Sequence, residues 1–268
     1  MNLKYLKLRG NSMTYDKSLI DELGKHHYAR CICKEDFDVS TVFIGFPGMG
    51  LAGAIAVQHM VEKLELETIG FVEGIVIPPI AVFLDGFLRH PYRIMGKKGL
   101  DIAFFIGESA VNADGAYHIA EAIMDWAEKH GAKEIIILDG FAYLNKDDEG
   151  EVYLVAEPEI KEKVQKLGIP PLKSGYIKGF PGVMLNKSMT SAIDGFAFLV
   201  GTRPDLPDPG GAAALIQKVN SYKKLNVNVD TLIEQSESIK KKLQELAAQT
   251  QELSAPTRDL SRKRTFYT

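Results

Sequence analysis

The chain is poor in cysteine. Its 268 residues include two, Cys31 and Cys33, which stand one residue apart. That spacing suits neither a disulfide nor a complete zinc site. On a strand it places both side chains on one face, and packed, reduced thiols are expected there. A marked excess of charge of one sign is lacking too: 32 basic residues stand against 35 acidic ones. A net charge of −3 gives no whole-molecule case for a nucleic-acid or membrane partner. No apolar run reaches the ~20 residues that span a bilayer. The opening stretch, MNLKYLKLRGNSMTYDK, lacks the apolar core of a signal peptide. A cytoplasmic location is therefore expected, with residues 1–29 a leader of uncertain structure.

Patterns that carry chemistry are also thin. No Gly-Lys-Ser/Thr follows the glycine-rich stretch, which excludes a P-loop NTPase. Ser109 is not in a Gly-x-Ser-x-Gly elbow. No His, Cys and Asp group has metal-ligand spacing. His118 lies near Glu108, Ser109 and Asp114 in GESAVNADGAYHIAE, a set that also fits a solvated helix face. No catalytic residue, cofactor or metal is assigned.

Apolar material is plentiful. Hydrophobic residues make up 46% of the chain and charged ones 25%, ordinary for a globular protein. TVFIGF at 41–46 reads as a buried strand, and residues through Leu64 repeat at helical spacing. ETIGFVEGIVIPPIAVFLDG at 67–86 reads as strand broken by Pro78 and Pro79. Residues 92–108 read as a hairpin turning at Gly-Lys-Lys-Gly. Asp114 is taken to cap a helix that runs to His130 and stops at Gly131. KEIIILDGF at 133–141 is the clearest buried strand, and EVYLVA at 151–156 is another. Pro158 opens a short helix, and a last core helix spans 211–222. Strands that alternate with helices and lack polar alternation predict an α/β protein with a mixed, mainly parallel sheet covered on both faces. Residues 30–225 form the core domain on this reading.

Two glycine-proline turns stand out. The first, GFPGMGLAG, holds Gly45, Pro47, Gly48 and Gly50. Glycines between strand and helix can cradle a phosphate. They also serve plain steric needs, tight turning and close helix–strand approach. The second copy holds Gly179, Pro181 and Gly182. Its recurrence favours two equivalent structural turns from strand to helix over a nucleotide site. Asp139 ends IIILD, the place where open α/β sheets put ligands.

The C-terminal part differs from the rest. From Val229 to Leu253 the positions Val229, Leu232, Ser236, Ile239, Leu243, Leu246, Thr250 and Leu253 recur every three or four residues. That is a heptad seam, and it assigns 226–253 to one helix. Such a helix either packs along the domain or projects and oligomerises. Pro256 ends it. SAPTRDLSRKR cannot bury itself, so 254–268 is expected to be a mobile tail. The tail nevertheless finishes with Phe266, Tyr267 and Thr268.

Hydrophobic-Tyr-any residue at the extreme C-terminus resembles the HbYX motif of proteasome activators and assembly chaperones. TVFIGFPGMGLAGAIAVQHMVEKL, KEIIILDGF and GFPGVMLN, followed by a proline-rich loop and a charged helix, resemble the archaeal proteasome assembly chaperone family over roughly residues 38–253. The resemblance implies a three-layer α/β/α fold of the phosphorylase/hydrolase-like type without established catalysis. It also implies a homo-oligomer that engages the proteasome α-subunit ring. Phe266, Tyr267 and the Thr268 carboxylate would then enter a pocket between α subunits. An enzyme using the glycine-rich turns and an ATP-independent proteasome activator stay open as alternatives.

Overall fold

A computed structural model describes residues 28–33, 38–143, 145–165, 167–204 and 206–238. The strands are β1 (Arg30–Cys33), β2 (Thr41–Gly45), β3 (Glu67–Glu73), β4 (Val82–Leu84), β5 (Phe87–Arg89), β6 (Tyr92–Gly96), β7 (Ile102–Gly107), β8 (Glu134–Ala142), β9 (Val152–Val155) and β10 (Asp194–Thr202). The helices are α1 (Ala52–Lys63), α2 (Ala113–Lys129), α3 (Pro158–Gln165), α4 (Phe180–Ser188) and α5 (Pro209–Lys223). Residues 230–238 are helical as well.

Among the described residues, eight strands form one sheet in the order β1-β3-β6-β7-β2-β8-β10-β9. Its centre, β7-β2-β8-β10, is parallel. The margins are antiparallel, through β6 to β1 on one side and through β9 on the other. The central strands read as unbroken apolar runs because both faces are covered. Phe43 of β2, Phe104 of β7, Ile136 of β8 and Phe198 of β10 point into one layer of core. Val42, Phe105, Ile137 and Leu199, their immediate neighbours, point into the other. Helices α1, α3 and α5 cover the first face, while α2 and α4 cover the second. This is the three-layer α/β/α arrangement.

Near the N-terminal ends of the central strands, Glu134 ties three elements together. It accepts hydrogen bonds from Thr41 Oγ1 at 2.8 Å and Tyr222 Oη at 2.7 Å, and it pairs with Lys223. The two cysteines lie on β1 against α2. Cys31 Sγ donates to the Ala122 carbonyl at 3.3 Å, and Trp126 Nε1 donates to Cys33 Sγ at 2.7 Å. Burial pushes the Cys31 thiol well above its ordinary range, which suits a packed thiol rather than a reactive one.

Two local expectations are corrected. Residues 67–86 are not one interrupted strand: β3 belongs to the large sheet, and Val82–Leu84 begins a separate two-stranded hairpin. Pro78 and Pro79 mark a change of sheet. At the start of α2 the cap position is Asn112, and Asp114 sits inside the first turn, where its charge meets the positive end of the helix dipole.

The heptad segment begins against the core. Asn220 brackets the backbone of Val227 with two hydrogen bonds, at 2.8 and 2.9 Å. His59 Nε2 hydrogen-bonds the Asn228 carbonyl at 2.7 Å. Val229, Leu232 and Ser236 are buried, so the first three seam positions face this chain's own domain. The later seam positions, from Ile239 on, lie outside the described residues.

Candidate functional site

The first Gly-Phe-Pro-Gly turn leaves the C-terminal end of β2 and enters α1 through a short 3-10 turn, Met49–Leu51. Its glycines answer to close approach. A Cβ at Gly53 would stand 1.9 Å from the Leu138 carbonyl oxygen, and one at Gly48 would stand 2.3 Å from Asp139 Oδ1. The helix can therefore lie on β8 only where side chains are missing.

Asp139 occupies the place where a phosphate would be expected. Its Oδ1 accepts the Gly140 N–H at 2.8 Å, and the Met49 backbone also hydrogen-bonds the carboxyl. The turn's donor is thus answered by an acid from this chain. Burial pushes that carboxyl up to about 7, against the opposing pull of its two N–H partners.

The second Gly-Phe-Pro-Gly turn is not equivalent to the first. No strand leads into it among the described residues; Leu172–Lys178 is irregular before α4 begins at Phe180. The two turns nonetheless meet. The rings of Phe46 and Phe180 lie 4.9 Å apart, centroid to centroid. Between the turns opens a cavity of about 820 Å3, bordered by Pro47, Gly48, Gly179 and Pro181 and reaching Asp139. Sequence repetition therefore marks two walls of one cavity.

The other candidate residues disperse. Glu108 pairs with buried Arg93, and Ser109 Oγ hydrogen-bonds Tyr92 Oη at 3.1 Å. His118 stacks on Tyr28 with ring centroids 4.1 Å apart. These partners lead Ser109 and His118 to different neighbours, so the arrangement is not a nucleophile with its base. Among the described residues, no group of three or more His, Cys, Asp or Glu is placed to hold a metal ion. None of the described helices is long and apolar enough to cross a membrane. Phe266, Tyr267 and Thr268 lie outside the described residues.

A second feature escaped the sequence reading. β4 and β5 form a hairpin whose turn residues, Asp85 and Gly86, have φ of 51° and 81°. Asp-Gly between apolar runs is a strong short-range hairpin signal, and it was available in the sequence. Phe83 pairs with Leu88, and Leu84 pairs with Phe87. Because successive side chains alternate, both faces of the ribbon are apolar. Phe83, Phe87 and Leu88 are 72%, 73% and 79% exposed.

Comparison with known proteins gives a concordant result. The model of the PAC2 family matches residues 42–247. An uncharacterised protein of Methanocaldococcus jannaschii is 29% identical over 219 residues, spanning 81% of this chain and 89% of that relative. The crystal structure of PbaA from Pyrococcus furiosus, an archaeal homologue of proteasome-assembly chaperone, superposes with a TM-score of 0.76. It is 28% identical, and the match covers 84% of this chain and 94% of PbaA. PbaB of the same organism, an archaeal proteasome activator, has a TM-score of 0.73 at 16% identity over 82% of this chain and 99% of PbaB, a likeness of fold alone.

Proposed function

The chain belongs to the PAC2 family, and from that premise we propose that it is a proteasome-associated assembly chaperone whose C-terminal tail docks between proteasome α subunits. The observation that carries this reading is the likeness to PbaA over most of both chains. The same two findings support a chaperone over an enzyme. The tail is assigned the contact because Phe266, Tyr267 and Thr268 end the chain with two aromatics and a carboxylate on a basic, polar stretch. Burying Phe266 would contribute about 1.5–3 kcal/mol. Tyr267 adds a ring and a hydroxyl, and the carboxylate of Thr268 makes a charge-assisted contact with a basic group.

Each such contact is weak once ordering is counted, so several tails must act together. We place self-association on the β4–β5 hairpin, with a second copy of this chain as its partner. A lone two-stranded ribbon is marginal in water, and Phe83, Phe87 and Leu88 are unsuited to a solvated edge.

The test is co-purification with proteasome α subunits, using the full chain, a chain lacking residues 266–268, and Tyr267→Ala. Loss of capture in both variants, with unchanged thermal melting, is expected. Equal capture by the truncated chain refutes tail docking. Adding the full chain to assembled core particle and following peptide hydrolysis distinguishes the roles. An assembly factor leaves the rate unchanged, and a gate-opening activator raises it.

A further inference from the structure

Tail docking gives no task to the cavity between the two Gly-Phe-Pro-Gly turns. We propose that this cavity binds a small, flat aromatic molecule, neutral or cationic, that donates an N–H hydrogen bond to Asp139.

Its place in the sheet is the first argument. β2 feeds α1 on one face, and its neighbour β7 feeds α2 on the opposite face. Adjacent strands with diverging connections leave a crevice at their C-terminal ends, the usual ligand position in open α/β sheets. The cavity's volume of about 820 Å3 falls in the range of small-molecule sites, roughly 300–1,000 Å3.

Its lining sets the chemistry. Phe46, Phe141 and Phe180 border the space, with Val111 among its aliphatic neighbours. Those surfaces suit a ring. Asp139 and Asp148 are the acids of the lining, and Lys178, its cation, lies over the Tyr176 ring at 5.1 Å from its centroid. An anion is therefore disfavoured. A phosphate is disfavoured twice, because the Asp139 carboxyl already holds the turn's backbone donor.

A carboxyl offers about four acceptor positions, so the two backbone bonds leave Asp139 able to accept another. Burial makes its charge expensive, and a ligand N–H or cation beside it would restore the ionised form. The missing side chain at Gly48 lets that carboxyl lie against the turn, and the Gly140 and Met49 backbone bonds fix it there, which makes it a preorganised partner.

The test titrates the full-length protein with 2-aminobenzimidazole, a flat molecule with adjacent N–H groups, by saturation-transfer NMR and calorimetry. Benzoate and inorganic phosphate serve as flat and non-flat anions. Saturable binding of 2-aminobenzimidazole is expected, weakened about tenfold or more by Asp139→Leu. Val111→Trp, which fills the apolar part, is expected to abolish it independently of the acid. Neither anion should bind. Near-ultraviolet circular dichroism identifies any variant that fails to fold, and the other variant then decides. No saturable binding up to about 10 mM, equal binding by wild type and a folded variant, or saturable phosphate binding overturns the proposal.

Discussion

Within β8, two residues past the last one paired with β2, Asp139 accepts N–H bonds that favour its charged form, yet burial still raises its pKa from the ordinary 3.8 to about 7. The unfolded chain releases this proton near 3.8, and the folded chain holds it until about 7. Between those values the folded state carries the extra proton. The acid's contribution therefore favours folding least at high pH and is progressively recovered as pH falls through the window. Asp139→Asn removes this dependence. Urea unfolding at about pH 5 and about pH 8 is expected to show the variant gaining most over wild type at the higher value. An equal difference at both would place the titration elsewhere. The strand was legible from IIILDG as a β-rich run, but Asp139 does not end it: pairing with β10 carries β8 on to Ala142. The weakened acidity was not legible, because it depends on Gly48, whose missing side chain lets the carboxyl sit against a turn far away in sequence.

Elements show the same division. The central strands were readable because β-branched and aromatic runs without polar alternation demand cover on both faces. The β4–β5 hairpin was not recognised, since Pro78 and Pro79 made the whole stretch look like one damaged strand. Its register exposes Phe87 and Leu88. Phe87→Asp is expected to lower the solution mass measured by light scattering while leaving thermal melting of the domain nearly unchanged. A mass identical to wild type counts against hairpin-mediated association. The heptad segment behaves differently. Leu232 is buried with Val229 against the face covered by α1 and α5. Leu232→Ala should therefore lower stability by about 2–5 kcal/mol in denaturant titration. A smaller mass without lost stability would instead assign that position to a subunit interface. Heptad spacing specifies a narrow apolar stripe and does not name the surface that receives it.

For the whole molecule, the proposed docking would draw its strength from the number of tails one assembly presents. Linked tails raise one another's effective concentration, so modest contacts sum. Phe87→Asp is therefore expected to weaken capture of α subunits even though Phe266–Thr268 is intact. Tail deletion removes capture without changing the mass. That crossed pattern separates the two surfaces.

Local chemistry and periodicity carried the reading a long way. Apolar strand runs, helical spacing, glycine turns and the terminal aromatics are all properties of neighbouring residues, and so they are written in order along the chain. The joining of two Gly-Phe-Pro-Gly turns into one cavity, the seating of Asp139 against Gly48, and the turning of Val229, Leu232 and Ser236 inward are contacts between distant segments. They follow from which strands pair and which face each helix covers, a choice made by packing the whole sheet and not by any stretch of it.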